Sequence, residues 1–142
     1  MAEPPAPEIL KIELLRGDSS ISGRLTLWEE APDRRDEFKI RVEFDRSTFE
    51  VYSKVGYFRA LCSLREELES NGILMNCYGA SENVYPSPMI EGMGGGEKAY
   101  KLVFGRPARR ADLVSIFDCG SDVVPSTVRR QREFYEKWLK SL

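Results

Sequence analysis

Apolar and polar positions alternate in three stretches of the first third of the chain, and each alternation predicts a half-buried strand. Residues 9 to 16 place Leu10, Ile12 and Leu14 on one side and Lys11 and Glu13 on the other. Gly17-Asp18-Ser19-Ser20 is turn chemistry, and residues 21 to 28 resume the period of two through Ile21, Gly23, Leu25 and Leu27, so the two stretches read as a hairpin. The segment Ala31 to Asp36 breaks the pattern. Residues 37 to 45 then carry the cleanest alternation in the chain, with Phe38, Ile40, Val42 and Phe44 facing one way and Lys39, Arg41 and Glu43 the other. Phe49 and Val51 prolong the extended backbone.

The period changes at about residue 55. Phe58, Leu61, Leu64, Arg65 and Leu68 fall at helical spacings up to residue 70, and Asn71-Gly72 supplies a left-handed stop. A short apolar run, Ile73 to Tyr78, predicts a fourth strand. Between Gly79 and Gly96 no period survives, which predicts a long structured loop. Strands are expected again at Lys98 to Phe104 and Leu113 to Phe117. A last helix is expected over Pro125 to Leu142, capped by Ser126 or Thr127. Its apolar face runs through Val128, Tyr135, Trp138 and Leu142 and is interrupted once, by Gln131.

This order, βββαβββα, predicts an α+β fold: an antiparallel or mixed sheet of about six strands with two helices on one face. Residues 9–142 are expected to form a single domain, and residues 1–8, which contain three prolines, are expected to be a disordered tail. A chain of 142 residues with 42% apolar content is large enough for one sizeable core. The amino-terminal segment lacks a basic-then-apolar leader pattern and no apolar run approaches a membrane span, so the expected location is the cytoplasm. Three cysteines without CxxC spacing, Cys62, Cys77 and Cys119, are expected to be reduced structural thiols, with a Cys77–Cys119 bridge left open.

Charge and chemistry narrow the function. The net charge of −2 is spread unevenly: residues 1 to 50 carry 12 acids and 8 bases, residues 106 to 142 carry 5 acids and 8 bases. Arg106, Arg109, Arg110, Arg129, Arg130 and Arg132 read as a solvated face rather than a phosphate-binding patch, so no nucleic-acid partner is expected. Histidine is absent, which removes Ser-His and Cys-His catalysis and most zinc sites. The glycine run from Gly92 to Lys98 lacks the spacing of a phosphate loop and leads into a strand rather than a helix, so it reads as a shaped turn. Asp112, Asp118, Glu97 and Glu91 read as solvated strand-end carboxylates rather than cation ligands. No enzyme activity, metal, cofactor or membrane contact is therefore expected. The feature left unexplained is the 79 to 96 loop, longer than ordinary connections and bearing large side chains that look exposed. Glu82, Tyr85, Met89, Glu91 and Met93 are its candidate partner contacts.

Several segments, from mid-chain onward, also resemble a known group. They are Gly56-Tyr57-Phe58-Arg59-Ala60-Leu61-Cys62, Tyr78-Gly79-Ala80-Ser81, Val84-Tyr85-Pro86-Ser87, Met93-Gly94-Gly95-Gly96, Lys98-Ala99-Tyr100, Ile116-Phe117-Asp118 and Phe134-Tyr135-Glu136-Lys137-Trp138-Leu139. Together they resemble small bacterial proteins encoded beside Rhs-type polymorphic toxins and read as their cognate immunity proteins. Pro88 departs from that pattern, where glycine is expected. The resemblance implies a stoichiometric inhibitor of a secreted toxin domain. An effector chaperone or adaptor, and a small histidine-free enzyme using carboxylates, are the alternatives.

Overall fold

A computed structural model describes residues 6–142. Residues 1 to 5 of the expected tail lie outside the described residues, and Glu8 already belongs to the first strand. The strands are β1 (Glu8–Arg16), β2 (Ser19–Trp28), β3 (Phe38–Phe44), β4 (Ser47–Ser53), β5 (Ile73–Met75), β6 (Val84–Tyr85), β7 (Lys98–Lys101) and β8 (Leu113–Ser115). The helices are α1 (Tyr57–Glu69), α2 (Pro88–Glu91) and α3 (Val128–Ser141). Single 3-10 turns occupy Tyr78–Ala80, Gly94–Gly96 and Arg110–Asp112.

The fold is α+β, but its strands form two sheets instead of one. A five-stranded antiparallel sheet runs β4-β3-β2-β1-β5, and a separate three-stranded antiparallel sheet runs β6-β7-β8. The extra strand in the first sheet, β4, pairs with β3 from Phe38↔Ser53 to Phe44↔Ser47. Its turn is Asp45-Arg46, both residues in the left-handed region (φ 43° and 65°). That turn geometry usually recruits asparagine or glycine, so the pair gives no strong hairpin signal. The second sheet arises because β5 lasts only three residues. The 3-10 turn that follows diverts the chain away from β1.

The register puts the alternating apolar residues on one face: Leu10↔Leu25↔Val42↔Phe49 and Leu27↔Ile40↔Val51. Helix α1 crosses this face on its way from β4 at one edge to β5 at the other, burying Phe58, Leu61, Leu64 and Leu68. Helix α3 does not join it there, contrary to the expected pair of helices on one face; it packs against β6 and α1. The Thr127 hydroxyl caps α3 by accepting from the Arg130 amide (3.2 Å). Trp138 anchors its other end, its indole N–H donating to the carbonyls of Val103 and Arg106 at 3.0 Å each. No helix among the described residues is long and apolar enough to cross a membrane.

The polar face of the large sheet is also partly covered. Lys39, on the side expected to meet water, is only 4% exposed. Its ammonium lies 5.1 Å from the Trp28 ring and 5.2 Å from the Tyr52 ring, and 3.2 Å from both Asp33 and Glu50. Asp33 comes from the segment after β2, which folds back over the sheet. Burial alone would lower the Lys39 pKa, but its bonds to Tyr52, Asp33 and Glu50 outweigh burial and raise it. The lysine is held as a cation and serves as a cross-strand tie.

Candidate recognition surface

The first part of the stretch from Gly79 to Gly96, up to Val84, is pinned to the body of the protein by a buried polar node. Arg65, on the apolar face of α1, and Gln131, on the apolar face of α3, are 2% and 1% exposed. Arg65 donates through Nη1 to the Gln131 side-chain oxygen (2.6 Å) and the Gly79 carbonyl (3.1 Å), and through Nη2 to the Ser126 carbonyl (2.9 Å). The Gln131 amide nitrogen donates to the carbonyls of Gly79 (2.9 Å), Ser81 (3.0 Å) and Val84 (2.9 Å). Two side chains thus satisfy a curl of backbone that turns its carbonyls inward. No carboxylate among the described residues pairs with the Arg65 guanidinium, and burial lowers its pKa. The Ser81 hydroxyl adds a further tie, accepting from the Val124 amide at 2.9 Å.

Glycines let the same stretch approach its supports closely. A Cβ on Gly79 would lie 2.5 Å from Leu61 and 2.8 Å from Ile116. Gly95 has φ 73°, and a Cβ there would lie 2.8 Å from the Phe38 ring. The glycine run is therefore a packed turn that seats the segment between β3 and the start of α1, as its failed phosphate-loop spacing implied.

The five candidate contacts separate into four environments. Tyr85 is not exposed, contrary to its appearance in sequence. It is 9% exposed, edge-on to Phe58 (5.2 Å between centroids) and stacked on Tyr135 (4.2 Å). A tyrosine on a two-residue strand facing α1 and α3 fills the core. Glu91 is folded inward as an ion pair with Arg59 (2.6 Å). Glu82 borders a cleft of about 300 Å³ beside Phe104, Phe134 and Arg130. Only Met89 (73% exposed) and Met93 (60% exposed) project freely. Met89 rides on α2, whose amino end is capped by the Ser87 hydroxyl accepting from the Ile90 amide (3.1 Å), with Pro88 in the first turn.

Beside α2 the structure adds residues that the loop sequence could not reveal. A groove of about 330 Å³ separates α2 from α3, lined by Pro86, Pro88, Tyr135 and Leu139, with Arg59, Glu91, Arg132 and Glu136 at its margins. Leu139 is exposed, as is Phe104, which stacks on Phe134 at 4.7 Å. The signal for Leu139 and Phe134 in the sequence was the surplus of apolar and aromatic residues on α3 over what one buried face needs. The result is a proline-braced, partly apolar surface with charges at its edge, the makeup of a protein interface.

Of the remaining candidate carboxylates, Asp112 is engaged elsewhere. Asp112 pairs with Arg106 (3.1 Å) and accepts from the Arg109 amide (3.0 Å). Among the described residues no three histidine, cysteine, aspartate or glutamate side chains stand together as a metal-holding group. All three cysteines are free thiols: Cys62 and Cys77 are buried, and Cys119 is exposed. Burial raises the pKa of Cys62, and pushes that of Cys77 up to about 11, so neither is poised as a nucleophile.

No protein-family model and no curated protein matches the chain. The surface between α2 and α3 is thus described by its own geometry, a groove with the exposed Met89 and Met93 beside it.

Proposed function

We propose that this protein is an immunity protein that binds a cognate secreted toxin domain in the cytoplasm of the producing cell and neutralises it as a stoichiometric inhibitor. The observation that carries the reading is the contrast within one short stretch. Tyr85 and the Arg65–Gln131 node hold its first part, from Gly79 to Tyr85, against the core, while Met89 and Met93 farther along stand in solvent. A helix capped before binding, as α2 is by Ser87, gives up little further backbone freedom, which offsets part of the rotamer entropy the methionines lose. Methionine also adapts its shape to a partner's surface. The motif resemblance supplies the identity of the partner class. The acid-rich first 50 residues suit a toxin with a basic cleft, because charge complementarity speeds encounter.

Tyr85 and Glu91 act in this reading as positioning residues, the first under the loop and the second through Arg59. Met89, Met93, Leu139 and Glu82 are left as contacts.

The test is co-expression with the toxin domain encoded by the adjacent gene. The wild-type chain rescues growth and forms a one-to-one complex. A Met89→Ala/Met93→Ala variant keeps its fold and binds at least about tenfold more weakly, as expected when desolvated anchors worth about 2 kcal/mol are removed. A chain that alters the toxin's abundance or export without abolishing its toxicity is a chaperone, and that result defeats the proposal.

A further inference from the structure

Strand β1 is paired along its whole length on one side and only in part on the other. β2 matches every residue from Glu8 to Arg16, whereas β5 meets only Leu14, Leu15 and Arg16. One further bond, from the Asn76 amide to the Glu13 carbonyl (2.9 Å), ends that second ladder. The two-residue connection Gly17-Asp18 makes Arg16 and Ser19 the closing hydrogen-bonded pair, so even-numbered residues of β1 direct their backbone groups at β2. Odd-numbered residues point the other way, in agreement with Glu13 bonding to Asn76. Ile9 and Lys11 therefore turn their N–H and C=O groups out of the sheet edge, and no backbone group among the described residues takes them up.

An open slot of about 310 Å³ lies along this edge, between Glu8, Leu10 and Lys11 of β1 and a wall formed by Glu97, Phe117 and Asp118. Residues from both faces of β1 line it, as an edge requires. Glu8, Glu97 and Asp118 have no ion-pair partner among the described residues. Burial raises the Glu97 pKa, and repulsion from Glu8 and Glu29 raises it further, more than the neighbouring Lys98 lowers it; Glu8, Glu97 and Asp118 share the slot with a single lysine, Lys11, so acids are in excess there.

We propose that this slot accepts an extended segment of a partner protein, bearing lysine or arginine, as an added strand on β1. Its backbone satisfies Ile9 and Lys11, and its basic side chains meet Glu8, Glu97 and Asp118. The wall opposite β1 favours a single extended chain over the sheet of a second copy, which would also bring another Glu8 into the acidic slot. The inference is independent of the immunity reading, since the edge and its charges do not involve Met89, Met93 or the groove beside α2.

The test titrates isotopically labelled protein with the peptide Lys-Val-Lys-Val-Lys and, as control, Glu-Val-Glu-Val-Glu, following backbone amides by NMR. The basic peptide shifts the amides of Ile9 and Lys11 most, and the acidic peptide leaves them in place. Ile9→Pro, which removes one outward N–H from an edge position, and Glu8→Lys/Glu97→Lys each weaken the basic peptide at least about tenfold. The charge-reversal pair keeps the test decisive if the proline variant misfolds. Equal binding of the two peptides, shifts centred elsewhere, or binding indifferent to Glu8→Lys/Glu97→Lys overturns the proposal. So does a concentration-dependent dimer, seen by sedimentation, that Ile9→Pro abolishes, because the edge would then belong to a second copy.

Discussion

Replacing Gln131 by alanine removes one side chain and strips four hydrogen bonds from the buried node. The Gln131 amide is the donor to the carbonyls of Gly79, Ser81 and Val84, and its oxygen accepts from Arg65 at 2.6 Å. Two of the carbonyls keep another donor: Gly79 from Arg65 (3.1 Å) and Ser81 from the Val84 amide (3.2 Å). The principal losses are the bond to the Arg65 cation, about 1.5–3 kcal/mol, and the orphaned Val84 carbonyl, about 1–3 kcal/mol. The expected total is about 3–5 kcal/mol, a large part of the 5–15 kcal/mol typical of a domain. For a domain of this size that corresponds to a fall in Tm of roughly 10–15 °C. Urea titration followed by circular dichroism measures it. Gln131→Glu sharpens the comparison: simple pairing with Arg65 predicts a gain, whereas a carboxylate among three inward carbonyls predicts a loss. A change below about 1 kcal/mol in Gln131→Ala, or a more stable Gln131→Glu, refutes the account of the node.

Tyr85→Ala should cost about 3–5 kcal/mol by emptying the space between Phe58 and Tyr135, while Met89→Ala leaves the melting curve within a few degrees; equal effects in thermal melts would contradict their opposite burial. A thiol reagent should label one cysteine quickly in the native protein, Cys119, and reach Cys62 and Cys77 only on unfolding; rapid labelling of all three refutes the packing around α1. Bonds from Lys101 and then Tyr78 depress the Asp122 pKa from 3.8 to about 2, so the stability they contribute is present above the unfolded value and is lost as pH falls through the folded one; Asp122→Asn should flatten that acid limb in melts between pH 2 and 5. Glu97 carries the opposite sign: its raised pKa lowers stability as pH rises through and beyond 4.5, so Glu97→Gln should melt higher than wild type at pH 7.

What could be read from the chain followed from period and length. The alternations of β1, β2 and β3 and the helical spacing of α1 and α3 each persist over enough residues to declare a face. β4 was only hinted at, because its hairpin turns on Asp45-Arg46 with no glycine or asparagine to announce it. β6 and α2 are too short, at two and four residues, to establish any period. Tyr85 looked exposed for the same reason, its partners Phe58 and Tyr135 being distant in the chain. The node was half legible. Arg65 sits in the apolar stripe of α1 and Gln131 breaks that of α3, two polar intrusions whose shared cause is visible only once both helices and the Gly79 curl meet. Methionine exposure at 89 and 93 could be guessed from composition, but the groove beside them joins α2 to α3 and has no linear signature.

The node also sets an order of events during synthesis. Gln131 secures carbonyls that lie 47 to 52 positions earlier. While the ribosome is still making the stretch before α3, the first sheet and α1 can pair and collapse, yet the curl at Gly79 waits with its carbonyls in water and Arg65 still solvated. Docking of α3 must therefore precede burial of the curl at Gly79, so this part of the fold is completed late.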